Sequence, residues 1–387
     1  MNLLTQQGWR WFSQALTQHN TFSAYFQPLI QFLVPQWSTD AYRAEVVAIR
    51  DEIADELAAT YTLVLAPQIG LLDRQWPSFQ AGQFIELMVE KDGRRTQRCF
   101  SISSAPRYYD ETGLLELTIR IQQEGRITPW IRQQLKVGSL VNISAAQGQF
   151  VLPNRLTHTT NHKGSISPQA EKLLFIAGGS GITPFRSMLQ QIKSSPSSLD
   201  IQLLYYSRDD QHVLFQQELQ QLEAEVEGLK ITFVNSEQEG FICQQHLQNF
   251  CPDFQHRSAY ICGPSPMIQQ ARQLLTELDV VKENIHFEFF GSAPIDIAHS
   301  GQGAIQFQSS DKTVISTKAE AATLLEYAEN AGINPVSGCR IGVCHQCICK
   351  KKSGIVFNTR TQEYSDSGSE EIQLCISVAQ GDVVLDL

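Results

Sequence analysis

Four cysteines near the C-terminus constrain this chain more than any other feature of it. Cys339-Arg-Ile-Gly-Val-Cys344-His-Gln-Cys347 is followed after 27 residues by Cys375, giving C-x4-C-x2-C-x27-C. This is a ligand spacing of a [2Fe–2S] cluster, where each iron takes two thiolates beyond the bridging sulfides. A loop carrying three of the four must wrap closely round the metal centre, and Gly338 and Gly342 suit so tight a path. Zinc loops favour paired C-x2-C halves, and the x4 step and distant fourth cysteine fit them poorly. His345 raises a Rieske-type reading, but that needs two histidines and none follows Cys347. His345 therefore reads as a non-ligand loop residue, and Cys349 as spare.

The chain has 387 residues, two to three times the commonest domain size of roughly 100–150. A 42% hydrophobic and 9% aromatic composition excludes collagen-like, coiled-coil and wholly disordered chains. Thirty Lys+Arg against 40 Asp+Glu leave a net charge of −10, which argues against nucleic-acid binding. Nine cysteines, an odd number, point to metal or redox chemistry in a reducing compartment rather than a disulfide framework. No run approaches the ~18 apolar residues of a membrane span. The start MNLLTQQGWRWF lacks a basic segment followed by an apolar one, so a cytoplasmic protein is expected. In residues 22–33, Phe22, Tyr25, Phe26, Leu29, Ile30 and Leu33 fall at helical spacing. Two readings stand: a helix packed on the following domain, or peripheral contact with the inner face of a membrane or a membrane-bound partner. Residues 1–39 hold a single Arg and no Lys, so attraction to anionic headgroups is poor.

Beyond this amphipathic segment (1–38), residues 39–153 read as short period-two strands, among them AEVVAIR, YTLVLAP, QFIELMVE and LELTIRIQ. Such spacing predicts a small antiparallel β-barrel. One helix is inserted, with Thr128 expected as its N-cap and Pro129 as its first residue. Residues 154–170 are polar and aperiodic, as in an exposed loop. From 171 to 291 strand and helix alternate, which predicts an α/β parallel sheet. Residues 292–302 are a linker. Residues 303–387 hold two strands, a helix over AEAATLLEYAENAG, the cysteine loop and closing strands, a module small enough to gain much from a bound metal centre.

Two further motifs lie in these modules. Gly178-Gly179-Ser180-Gly181-Ile182-Thr183-Pro184 follows the apolar strand LLFIA and opens a helix. There the glycines let the backbone approach a ligand and the helix N-terminus favours phosphate. Arg98-Cys99-Phe100-Ser101 resembles the R-x-Y-S flavin motif of the ferredoxin–NADP reductase superfamily, with Phe100 in place of Tyr. The resemblance implies that Arg98 pairs with a flavin phosphate, Phe100 packs on the flavin and the Ser101 hydroxyl reaches the N5 region. Gly125-Arg126-Ile127-Thr128 is similar to the second element of that family, a pyrophosphate site at a helix start, which points to FAD over FMN. Cys262-Gly263-Pro264 follows the strand SAYI, where the family places a cysteine close to the nicotinamide. Ser207 and Arg208 follow the second strand, where a hydroxyl and guanidinium suit a 2′-phosphate, so NADPH is expected over NADH. The adjacent Asp209 and Asp210 weaken that case.

The cysteine loop resembles plant-type ferredoxins, with His345-Gln346 standing where a small residue is common. Across residues 40–387 the chain thus resembles a single-component reductase of the ferredoxin–NADP reductase superfamily with a C-terminal [2Fe–2S] β-grasp domain. The run CRIGVCHQCICKKKSG with LCISVAQGDVVLDL looks closest to bacterial reductases serving fatty-acyl (stearoyl-CoA) desaturases. The implied function is electron transfer from NAD(P)H through flavin and cluster to an oxygen-activating partner, a terminal oxygenase or membrane desaturase. The implied hydride-transfer residues are Ser101 and Cys262. Two alternatives remain: the reductase of a soluble ring-hydroxylating oxygenase, and a non-catalytic cluster-bearing redox regulator. Glu288 is either a proton-handling group or a surface residue. Glu363, Asp366, Glu370 and Glu371, with no basic residue between them, form either a solvated turn or a docking face for a basic partner.

Overall fold

The continuous apolar run of LLFIA requires burial on both faces, and in the computed structural model it forms the centre of a parallel sheet. The structure describes residues 42–55, 59–69, 75–91, 94–122, 125, 127–153, 171–194, 199–290, 300–317, 322–343, 345–361 and 363–387. The amphipathic segment at 22–33, the polar loop at 154–170, Arg126 and Cys344 therefore lie outside the described residues. Two compact units are distinguished: the described parts of Met1–Thr96, Phe100–Leu152 and Arg186–Ser194, and those of Gln97–Cys99, Pro153–Phe185 and Ser195–Leu387.

The first unit is built on β1 (Tyr42–Ile53), β2 (Thr60–Pro67), β3 (Phe84–Lys91), β4 (Arg94–Ser101), β5 (Leu115–Arg120) and β6 (Leu140–Ile143), in the order β4-β3-β6-β1-β2-β5. The pairings of β1 with β2 and β6, β2 with β5 and β3 with β6 are antiparallel. A bridge between Ile102 and Leu117 ties the end of β4 to β5, so the sheet curls back on itself. Tyr61, Leu63, Leu65, Ile85, Leu87 and Leu117 fill its core. The inserted helix is Thr128–Gln134 with Ile127 as N-cap and no side-chain cap, so Thr128 is one residue inside the expected position. Its hydroxyl is instead the acceptor for the Gln122 N–H at 3.0 Å and closes the loop entering the helix.

In the second unit β7 (Glu171–Gly178), β8 (Leu199–Ser207), β9 (Leu229–Asn235), β10 (Ser258–Gly263) and β11 (Ile285–Phe289) form a parallel sheet ordered β11-β10-β7-β8-β9. The order reverses between β7 and β10, and a crevice outside the carboxyl ends of strands at such a point is where ligands bind in open α/β sheets. The remaining strands are β12 (Gly303–Phe307), β13 (Lys312–Ser316), β14 (Ile348–Ser353), β15 (Val356–Asn358), β16 (Glu363–Tyr364), β17 (Glu370–Gln373), β18 (Ser377–Ala379) and β19 (Val383–Leu385). They make a mixed sheet, β13-β12-β19-β14-β17, and a small one, β16-β15-β18. The helix expected from Ala319 begins at Leu324, because Thr323 caps it and Glu326 reaches back to the Thr323 N–H in a capping box. No helix among the described residues is long and apolar enough to cross a membrane.

Candidate functional site

At the reversal between β7 and β10, Gly178 ends the first strand and Gly179–Gly181 form one 3₁₀ turn into the helix Ile182–Lys193. Gly181 lies against the end of β10: a Cβ there would stand 2.2 Å from the Cys262 carbonyl oxygen, so only glycine fits. The buried Thr183 hydroxyl donates to Ser180 O at 3.0 Å and fixes the turn from inside. Tyr205 on β8, which sequence reading passed over, props the turn from beneath. Its hydroxyl donates to Gly179 O at 3.1 Å and accepts the Leu214 N–H at 3.1 Å. Cys262 pairs in register with Glu288 on β11 and is fully buried. Burial, with a further push from the Glu288 carboxylate, raises this thiol well above its ordinary range and keeps it neutral. Gly263 and Pro264 lead from it into the helix Ser265–Glu277.

The carboxyl end of β8 delivers Ser207, buried, and Arg208, exposed. Ser207 O takes the backbone N–H and hydroxyl of Ser236 at 2.8 and 2.9 Å, which anchors the strand end. Asp209 turns inward, accepting from the N–H groups of Gln211 and His212 and lying 2.7 Å from His212 Nδ1. The hydrogen bond with His212 holds its carboxyl below the usual range.

Of the flavin-motif residues, Phe100 is half-buried against the first core and Ser101 is buried. Arg98 is half-buried, its Nη1 donating to Gln97 O at 2.8 Å and, within the second unit, to Gly338 O at 3.2 Å. Gly125 closes a turn through its N–H to Gln122 O. The segment after the motif is held by a buried Arg186–Glu116 pair, with half-exposed Arg50 at its edge, that sequence reading missed. Arg186 Nη1 reaches Ser103 O at 3.0 Å and Glu116 Oε2 at 2.7 Å, while Arg50 takes Glu116 Oε1 at 2.6 Å. Burial raises the Glu116 carboxyl, but the two guanidinium groups outweigh it and leave it below the ordinary range. A signal existed: Arg186 sits with Ile182, Phe185 and Leu189 on an i, i+3, i+4, i+7 face, and a charge there needs a buried partner.

In the last module, Cys339, Cys347 and Cys375 come together, all buried. A hydrogen bond between Cys347 and Cys375 lowers the first thiol to about 7 and raises the second, and the nearby Cys339 thiol pushes both up. Three convergent sulfurs, with no disulfide among the described cysteines, fit a thiolate-bound cluster. The Ile341 and Val343 N–H groups point at Cys339 Sγ from 3.5 and 3.4 Å, as donors to a ligand sulfur would. Cys349 points elsewhere, to Lys350 O and Asp386 O, and burial pushes its thiol up to about 11. His345 is exposed and takes its Nδ1 to Gln373 Nε2 at 3.1 Å. The acidic stretch does have a basic neighbour, supplied by β14. Fully buried Lys351 donates to the carbonyls of Gly354, Asp366 and Gly368 and lies 3.1 Å from Glu370, while Glu363, Asp366 and Glu371 are exposed.

Comparison with known proteins agrees with these centres. An oxidoreductase FAD-binding domain family matches residues 72–152 and an oxidoreductase NAD-binding domain family residues 175–273. A 2Fe-2S iron-sulfur cluster binding domain family matches residues 307–380. An NADPH oxidoreductase of Mycobacterium tuberculosis is 29% identical over 91% of this chain and 86% of its own length. A glycine betaine monooxygenase reductase subunit of Chromohalobacter salexigens is 25% identical over 80% of this chain and 87% of its own. Phthalate dioxygenase reductase shares the fold, with a TM-score of 0.58 and 20% identity over 90% of this chain and 98% of that one. An intact type IV self-sufficient cytochrome P450 monooxygenase (TM-score 0.57, 21% identity) matches 90% of this chain, which spans 41% of that longer protein. The chain is an NAD(P)H-dependent flavin iron–sulfur reductase with a ferredoxin–NADP reductase-like fold, its FAD-binding, NAD-binding and [2Fe–2S] domains in a phthalate dioxygenase reductase-like arrangement.

Proposed function

We propose that this reductase draws electrons from NADPH and delivers them to the terminal component of an oxygenase. The observation that carries the reading is the convergence of buried Cys339, Cys347 and Cys375 in one chain with the glycine turn packed on Cys262. Flavin supplies the step between a two-electron nicotinamide donor and a one-electron cluster. The protein's own residues do the rest. The turn Gly178-Gly179-Ser180-Gly181, held by Thr183 and Tyr205, presents the helix N-terminus to a pyrophosphate. Cys262 keeps a neutral, buried thiol beside the nicotinamide position, with Gly263 and Pro264 lining it. Phe100 and Ser101 pack and hydrogen-bond the flavin ring, Arg98 serves its phosphate, and Gly125 and Thr128 shape the second phosphate loop. Cys339, Cys344, Cys347 and Cys375 hold the cluster.

NADPH is favoured because Asp209 is committed to His212 and the turn, so that of the two exposed charges just past β8, Arg208 and Asp210, the guanidinium is the one that attracts a phosphate. An oxygenase acceptor is favoured over a fatty-acyl desaturase because a relative covering most of the chain is a monooxygenase reductase subunit. Anaerobic titration with NADPH and NADH in parallel tests the first half: NADPH should bleach the flavin band and then the cluster band. A chain left oxidised by both nucleotides is the non-catalytic regulator instead. Turnover with a purified oxygenase component against turnover with desaturase-containing membranes tests the second. Transfer to the membranes alone refutes the oxygenase.

A further inference from the structure

The peptide joining Gly342 to Val343 faces two ways. Its N–H donates to Cys339 Sγ at 3.4 Å. Its carbonyl accepts two side-chain donors, Arg360 Nη1 at 2.9 Å and Gln373 Nε2 at 3.2 Å. The plane is fixed by Gly342 itself, whose φ is +77 and where a Cβ would stand 2.7 Å from Ile376 Cδ1, next to Cys375. Both donors are placed by their own surroundings. The Asn358 carboxamide oxygen takes the N–H groups of Arg360 and Thr361 at 2.9 and 3.1 Å, turning the chain just past β15. Gln373 ends β17 in register with Ile348, the residue after Cys347, and its Nε2 also lies 3.1 Å from His345 Nδ1.

We propose that Arg360 and Gln373 are positioning residues that set the reduction potential of the cluster through this one peptide. The proposal rests on the reading of the four cysteines as cluster ligands. Among the described residues, neither side chain is bonded to a ligand sulfur, the bonds going to Gly342 O and His345 Nδ1. Donors on the carbonyl polarise the amide, and in a linked series each hydrogen bond strengthens the next by roughly 10–30%. The Val343 N–H thereby becomes a better donor to Cys339 Sγ, and hydrogen bonds to the sulfurs are a lever on cluster potential. A cluster held here would gain one negative charge on reduction, so whatever stabilises negative charge on Cys339 Sγ would favour the reduced state. Arg360 adds the field of a fixed cation to the same effect.

The test is a dithionite titration of the full-length, cluster-loaded chain, followed by EPR. Arg360→Gln is expected to lower the equilibrium constant for cluster reduction about 10-fold, read as a midpoint about 59 mV more negative for one electron. Gln373→Leu shifts it the same way by less, Arg360→Lys recovers part of the loss, and both loaded variants change the EPR g-values. Lys350→Gln, which removes a charge on β14 without a bond to the cysteine loop, is expected to leave the midpoint where it was. Parent midpoints in Arg360→Gln and Gln373→Leu overturn the proposal, as does a Lys350→Gln shift equal to that of Arg360→Gln, which would reduce the effect to net charge. If Arg360→Gln does not hold a cluster, Arg360→Lys and Gln373→Leu decide by the same criterion. A parent chain that takes up no cluster sinks the ligand reading itself, whereas an unmoved midpoint at parent iron content sinks only the role of these two residues.

Discussion

Replacing Arg208 by Gln isolates the charge on which the nucleotide preference rests. The guanidinium is exposed at the end of β8 and has no side-chain partner among the described residues. Asp209, the nearest carboxylate in sequence, is occupied by two backbone N–H groups and His212. A phosphate monoester carries about −1.5 to −2 charge near neutrality. At about 4 Å with water-like screening each unit pair is worth roughly 1 kcal/mol, so the guanidinium contributes about 1.5–2 kcal/mol to NADPH and nothing to NADH. At 1.36 kcal/mol per decade this is about a 10- to 30-fold rise in the KM for NADPH. The kcat should stay within about twofold, because the 2′-phosphate is remote from the reacting carbon and contributes uniform binding. Steady-state reduction of ferricyanide with each nucleotide, at low and physiological salt, reads the effect. The variant should also lose the competitive inhibition by 2′-AMP. An NADPH-to-NADH ratio of kcat/KM that moves by less than about threefold at both salts refutes the reasoning, since screening alone removes only part of a contact this short.

Other perturbations test different parts of the chain. Arg257, with a side chain 4% exposed, holds Asp200 and Asp253 at the opposite end of the parallel sheet from the glycine turn. Arg257→Gln should cost about 2–3 kcal/mol, less than the 3–5 of a fully buried pair because both carboxylates keep some water; hydrogen exchange of β7, β8 and β10 reads it, and unchanged protection contradicts it. Burial raises the Asp253 carboxyl, but bonds from Arg257 and Lys172 bring it down to about 2. That stabilisation is therefore full above the ordinary value of 3.8 and disappears as pH falls through about 2. Acid unfolding of Arg257→Gln should accordingly begin nearer pH 4. Cys262→Ser should slow flavin reduction about 10-fold at unchanged nucleotide affinity. As the parent thiol stays protonated, its rate should carry no thiol ionisation between pH 6 and 9; a break there that vanishes in the serine variant contradicts the neutral-thiol reading. Cys349→Ser should keep the cluster absorbance and iron content, and Cys375→Ser should lose both.

What could be read from the sequence divides by range. The parallel-sheet module was legible because its strands are unbroken apolar runs and its breaks carry Gly or Pro, both local signals: the helix over Gln244–Phe250 coincides with the segment QQHLQNF. The glycine turn was legible for the same reason. Thr128 was misplaced by one residue because its hydroxyl had a competing use, closing the loop at Gln122, that propensity does not register. Tyr205, Arg360 and Gln373 were out of reach because each acts on a backbone group brought near only by folding, and Glu116 because its guanidinium partners are distant in sequence. Arg360 and Gln373 stand 18 and 31 residues from the carbonyl they share. Lys351 is the same case: it appeared as part of a basic run, KKK, yet it is fully buried and organises the acidic turn from below.

The cysteines show why residue type alone does not settle role. Cys347, Cys349 and Cys262 are all buried, yet their thiols differ in direction and cause. Cys349, on β14 with only backbone carbonyls as acceptors, is pushed up by desolvation. Cys262 is pushed up further by the neighbouring Glu288, and a neutral thiol there would add no charge at the proposed nicotinamide position. Cys347 goes the other way because a second thiol, Cys375, donates to it. Cys347 and Cys375 shift in opposite directions through their shared hydrogen bond, so it is their convergence with Cys339, and not the direction of a shift, that marks the ligands. Cys347 lies just before β14 and meets the Cys375 thiol, whereas Cys349, two residues on and within the strand, turns its thiol to the Lys350 and Asp386 carbonyls. Moving the thiol by two positions, in a Cys347→Ser/Cys349 background, therefore cannot restore the cluster: the strand holds Cys349 in the core, facing Asp386. Recovery of parent iron content in Cys347→Ser would show that the cysteine loop, and not the strand, decides which sulfur is the ligand.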